Sequence, residues 1–163
     1  EAALPSTSEE AAAAASKVSR EEAYIEELYK VPEFANLGPL FKSTKQVELT
    51  ESETEYLVSC VKHIFAEHVV LQFNVTNTLN DQQLTSVQVA VEDPECDEWE
   101  TQFTRPIDKL QYNAPGQCYV LLKRPEDLFS ANFTVELSFR VKECDPATGE
   151  AYDEDDEGDE EEY

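Results

Sequence analysis

Two histidines, four cysteines and 36 carboxylates are the side chains with which this 163-residue chain could do acid–base, nucleophilic or metal chemistry. His63 and His68 both fall in segments that read as strands, His68 on an outward face. A histidine in that setting is far more often a surface residue than a general base. Cys60, Cys96, Cys118 and Cys144 are widely and irregularly spaced, with no CxxC or CxH pair, which argues against zinc. Their even number would allow two disulfides in a secreted protein. The preferred reading is reduced thiols, some of them filling core positions as small apolar groups. Carboxylates serve as general acid and base only when a fold pairs them in a pocket. Here they are spread along turns and the C-terminal run. No nucleophile elbow or HExxH helix is present, and four glycines leave little for a phosphate-gripping loop. The expectation is no catalytic, cofactor-binding or metal-binding residue, no enzyme, and a partner-binding surface that is unknown.

Charge narrows the partners. The formal net charge is −24, and 143–163 holds twelve acidic residues and no basic one. Nucleic acid is excluded as an obvious partner, because phosphate binding needs a Lys/Arg surface. Docking on anionic lipid by a basic patch is disfavoured for the same reason. No apolar run approaches the ~20 residues that span a bilayer, and no secretory signal opens the chain. The chain has no Met at all, position 1 included, and reads as an excerpt of a longer protein.

The elements that would position these residues are mostly strands. Residues 1–17 are rich in Ala, Ser and Glu and read as a linker, partly helical at best. Ser19-Arg20-Glu21-Glu22 has capping-box spacing, and Ile25, Leu28 and Tyr29 make one apolar stripe. A short helix is therefore predicted at about 19–30, ended by Pro32. From 46 onward the apolar period is two. The clearest case is 131–142, where Phe133, Val135, Leu137, Phe139 and Val141 alternate with polar residues. The same alternation marks 68–76 and 84–92. Residues 54–65 and 117–123 are apolar in both phases, which predicts strands covered on both faces or central in a sheet. Val47-Glu48-Leu49 reads as a short first strand. Trp99 shares a phase with Thr101 and Phe103 and is assigned to the core rather than to an exposed peptide anchor. About seven strands, with turn chemistry at Asn80-Asp81, Asp93-Pro94 and Asn113-Ala114-Pro115-Gly116, predict an all-β, two-layer antiparallel sandwich. After Cys144 the density of like charge predicts a solvated segment. A calcium-loop reading fits it poorly.

Several runs resemble the appendage region of the coatomer gamma-subunit family: ANLGPLFKS (35–43), LTESETEY (49–56), VKHIF (61–65), LQFNVTNTLNDQ (71–82), YNAPGQCYVLL (112–122) and FRVKECDPATGE (139–150). The resemblance covers about 35–150. It implies an immunoglobulin-like β-sandwich at 35–145, a connecting linker at 1–34, and an acidic flexible segment at 146–163 leading to a mixed α/β platform absent from the chain. It also implies a non-enzymatic structural and interaction module of the COPI vesicle coat. Such a module is cytoplasmic and peripheral on Golgi membrane and vesicles. Expected partners are other coatomer subunits, together with coat regulators such as GTPase-activating proteins, mainly through the platform. Membrane contact would be indirect. The alternatives are a clathrin-adaptor appendage, or an extracellular adhesion sandwich with paired cysteines and glycans at the sequons of Asn74 and Asn132.

Overall fold

The computed structural model describes residues 20, 22–126 and 131–163. The Ala-rich opening segment and Ser19 of the expected capping box lie outside these. Residues 22–29 form helix α1, and a 3-10 turn follows at Pro32–Phe34. Among the described residues are ten strands: β1 (Lys42–Ser43), β2 (Val47–Glu48), β3 (Tyr56–Ile64), β4 (His68–Asn77), β5 (Gln82–Glu92), β6 (Glu100–Arg105), β7 (Ile107–Leu110), β8 (Gly116–Lys123), β9 (Thr134–Glu143) and β10 (Asp159–Glu162). They make two antiparallel sheets. The first runs β1-β3-β4-β8-β6, with β2 also on β3; the second runs β10-β9-β5-β7. The first four strands share the first sheet, and from β4 to β9 the chain alternates between the two layers of the predicted sandwich.

The period-two residues face inward as expected. Val58, Leu71, Phe73, Val75, Val120 and Leu122 of the first sheet meet Leu84, Val87, Val89, Leu137 and Phe139 of the second. Two irregularities reset the phase. A bulge between Thr85 and Gln88 of β5 lets Leu84 and Val87, three apart, both point inward. A second, between Thr101 and Phe103 of β6, separates residues that the sequence placed on one face. Trp99 packs against the inter-sheet core, whereas Phe103 turns to the outer face.

That outer face explains the two-phase strands. Val70, Tyr119 and Leu121 point away from the second sheet and are covered by Leu28, Val31 and Phe34, with Leu37 and Leu40 beside them. Phe34 is fully buried and meets Tyr119 edge-on at 5.6 Å and Phe103 at 5.8 Å. The helix ends before Pro32 as predicted, and Val31 N–H closes on Leu28 O at 3.0 Å. From Leu28 on, the segment expected as a linker is therefore part of the packed body.

The acidic stretch also departs from expectation. Cys144 pairs with Ala151 across a turn in which Gly149 N–H bonds Asp145 O at 2.7 Å. The chain then returns as β10 along β9, with Asp159 opposite Val141 and Glu162 opposite Ser138. Composition gave no sign of this, because backbone bonds to a strand edge need no apolar side chain. Gly158 makes the crossing possible. Its φ is +81°, and a Cβ there would stand 2.6 Å from Val141 O.

Phe73→Ala, emptying the inter-sheet core, and Leu28→Ala, loosening the arm, are expected to cost about 3–5 and 2–5 kcal/mol in urea unfolding. Ser138→Asp, half-buried on the other phase and opposite Glu162, should cost much less, through like charge across the strands. Equal losses from all three would refute the assigned phases.

Candidate functional site

His63 is fully buried, under α1 on the outer face of the first sheet. Its Nε2 lies 2.9 Å from Gln72 Oε1 and its Nδ1 2.7 Å from Ser43 Oγ. Gln72 spends its amide N–H on Asn74 Oδ1 at 3.0 Å, so its oxygen is left to accept. Nε2–H therefore donates to Gln72, and Nδ1 accepts from the Ser43 hydroxyl. Tyr24 of α1 meets the imidazole edge-on at 4.9 Å. Burial lowers the His63 pKa below its ordinary 6.5, against a smaller upward pull from Gln72. The arrangement satisfies a buried polar group beneath an apolar arm. His68, on the same strand pair, hydrogen-bonds Gln102 Oε1 at 2.9 Å from a half-buried position. The two rings are not brought to a common point with a nucleophile.

All four cysteines are free. Cys60 and Cys118 both stand opposite Phe73, one on each side of β4. Two inter-strand spacings separate them, roughly 9.5 Å, beyond the ~7 Å reach of a disulfide. Burial pushes their thiols up to about 11 and about 12. Cys144 is buried too, and Cys96 is half-buried in the β5–β6 loop. Asn74, in one sequon, is half-buried in central strand β4 and donates to Gln46 and Ser59, both at 3.5 Å. A glycan would break that pattern. Asn132 is exposed. Trp99 is half-buried, edge-on to Phe133 at 5.0 Å, in agreement with the core assignment. Among the described residues no three His, Cys, Asp or Glu side chains converge where an ion could sit. No helix among them is long and apolar enough to cross a membrane.

The feature that sequence reasoning missed is an apolar slot of about 250 Å³ at one margin of the sandwich. Val47 and Leu49 form one lip, Cys60, Leu71 and Phe73 the floor, and Phe133 and Val135 the other lip. Val47 and Leu49 are 54 % and 46 % exposed. The slot lies between β2, β3 and β4 of the first sheet and the start of β9 in the second. The short Val47-Glu48-Leu49 alternation was legible, but nothing in it tells which strands it meets.

Residues 22–163 match the family described as the coatomer gamma subunit appendage platform subdomain. The chain belongs to this coatomer gamma appendage family. Coatomer subunit gamma-2 of Bos taurus is 49 % identical over 142 residues, which are 83 % of this chain and 16 % of that protein. Coatomer subunit gamma-1 of Homo sapiens is 48 % identical over 149 residues, 89 % of this chain and 16 % of that protein. The chain thus spans about one sixth of the length of these relatives. The crystal structure of the yeast GGA1 GAE domain aligns with a TM-score of 0.48 at 13 % identity, covering 73 % of this chain and 93 % of that one. The name platform subdomain falls on the body described above, arm, sheets and β10 included. The resemblance had set the sandwich ahead of a separate platform. Neither the adhesion nor the clathrin-adaptor alternative is favoured by a match to coatomer gamma at this identity.

Two outcomes follow from the buried groups. A histidine whose folded pKa is depressed binds fewer protons folded than unfolded. Its contribution to stability is present above pH 6.5 and is lost as pH falls through the lowered value. Urea midpoints should therefore fall below pH 6.5, and His63→Gln should flatten that part of the slope. Protein made without reductant should titrate four thiols after unfolding, and in the native state Cys96 should react first. Two disulfides would restore the adhesion reading.

Proposed function

We propose that this chain is a non-enzymatic structural and protein-interaction module of the COPI vesicle coat, acting within a coatomer gamma subunit in Golgi-to-ER and intra-Golgi transport. The observation that carries this reading is the family match over residues 22–163. The geometry fits it. The buried histidine has both ring nitrogens engaged, and burial raises the pKa of the Cys60 and Cys118 thiols. What the body offers to partners is surface.

In this reading the module works in the cytoplasm, peripheral on Golgi membrane and coated vesicles. Its partners are other coatomer subunits and coat regulators such as GTPase-activating proteins of the coat's small GTPase. In the longer subunit a helical trunk precedes the sandwich and a further part of the appendage follows it. The arm from Leu28 to Leu40 packs on the first sheet. Membrane attachment is left to other subunits. Many weak contacts gathered at one membrane then act together through effective concentration.

Cells whose gamma subunit lacks the stretch equivalent to 22–163 are expected to assemble the remaining coatomer but to capture fewer coat regulators from cytosol. Undiminished capture would sink the interaction role, and substrate turnover by the purified chain would sink the non-enzymatic one.

A further inference from the structure

An acid-directed kinase asks three things of a hydroxyl: exposure, no competing hydrogen bond, and carboxylates close along the chain for its basic groove to read. Three hydroxyls among the described residues have an acidic residue three positions on: Thr50 before Glu53, Ser52 before Glu55, and Thr78 before Asp81. The fold separates them. Thr50 is half-buried, and its Oγ1 accepts the Val58 N–H at 3.0 Å. Thr78 is half-buried, and its Oγ1 donates to Glu55 O at 2.7 Å. Ser52 is exposed in the turn joining β2 to β3, and its hydroxyl makes no hydrogen bond among the described residues. Glu51, Glu53 and Glu55 are exposed with it, so carboxylates stand just before, just after and three residues after the hydroxyl.

The turn is held at its ends. Thr54 Oγ1 lies within hydrogen-bond distance of Glu51 O at 3.0 Å and Tyr56 O at 2.9 Å, and Thr78 N–H donates to Glu55 O at 3.0 Å. These bonds leave Ser52 and Glu53 at the tip.

We infer that Ser52 is a phosphorylation site for an acid-directed serine/threonine kinase using ATP. Its Oγ attacks the γ-phosphorus of ATP, and the bond from that phosphorus to the bridging oxygen breaks. ADP leaves, and the hydroxyl proton passes to the kinase's catalytic base. The product adds about −1.5 to −2 of charge. No base lies in 46–61, 75–82 or 143–163, the hairpin, the β4–β5 turn and the acidic stretch that meet here. The phosphate therefore finds no cation to fold onto and stays at the surface. It stands three residues from exposed Leu49, at the lip of the apolar slot. Its effect is on what this margin presents to a partner, and the fold is left as it is.

The test treats the 163-residue chain and a synthetic peptide of residues 48–58 with casein kinase 2 and ATP, and locates phosphate by mass spectrometry. Ser52 should be modified in both, and Ser52→Ala should abolish that phosphate. Glu55→Gln should slow it by about tenfold. Ser52→Thr removes any kinase preference for serine over threonine. In that variant the folded chain should accept phosphate at position 52 at least about tenfold faster than at Thr50, because Thr50 is held by the fold. In the peptide, where that hold is gone, the two rates should converge. A peptide modified at Ser52 beside a folded chain that is not would show the turn closed to a kinase and overturn the inference. An unmodified peptide, or an unchanged rate in Glu55→Gln, overturns it as well, because the carboxylates then direct nothing. Equal rates at positions 50 and 52 of the folded Ser52→Thr chain defeat the structural selection. The urea midpoint of the phosphorylated chain should match that of the unmodified one, and a fall would overturn the surface-only effect.

Discussion

The first sheet is buried on both faces, and most of the molecule follows from that. Strands β3, β4 and β8 carry apolar residues in both phases, so neither face can be left to water without exposing several large side chains. The second sheet covers one face through Phe73, Leu71 and Leu122. The other is covered by a single stretch, Leu28 to Leu40, centred on Phe34. A two-layer sandwich thereby becomes a partial three-layer body. The arm is a layer in its own right and adds nothing to either sheet's hydrogen bonding.

Double coverage also sets where polar groups are tolerated. His63, Gln72 and Ser43 lie on the outer face beneath α1, a position that would strand any single polar side chain. They survive burial because each supplies what the next requires: imidazole N–H to amide oxygen, hydroxyl to imidazole nitrogen, amide N–H to Asn74. A histidine of this kind is a packing residue with a polar constraint. Burial lowers its pKa, against a smaller upward pull from Gln72.

Period-two alternation made the inter-sheet core legible, because a half-buried strand cannot hide its phase. The two-phase segments announced a second cover, but not what supplied it, since a lone amphipathic helix at 19–30 looks the same docked or free. β6 misled through its bulge: one extra residue between Thr101 and Phe103 turned a single stripe into two faces. β7 escaped notice because Pro106 separates it from β6 and its four residues are too few to show a period. The slot was illegible for another reason. It is assembled from β2, β3, β4 and β9, a juxtaposition that no single strand encodes. The roles of Val47 and Leu49 emerged only once β2 had a place beside β3.

The acidic run shows how composition and geometry can both be right. Asp159, Glu160, Glu161 and Glu162 are all exposed, as solvation of like charges requires. The ion pairs from Arg140 to Glu157 and Glu160 span 3.2 and 4.0 Å between largely exposed acids and a partly exposed guanidinium. Such pairs contribute at most about 1 kcal/mol, so the strand is held by its backbone pairing to β9. Charged edge strands deter sheet-to-sheet association between molecules. Here the most acidic part of the chain forms the outer edge of the second sheet. It keeps that edge from accepting a strand from another copy.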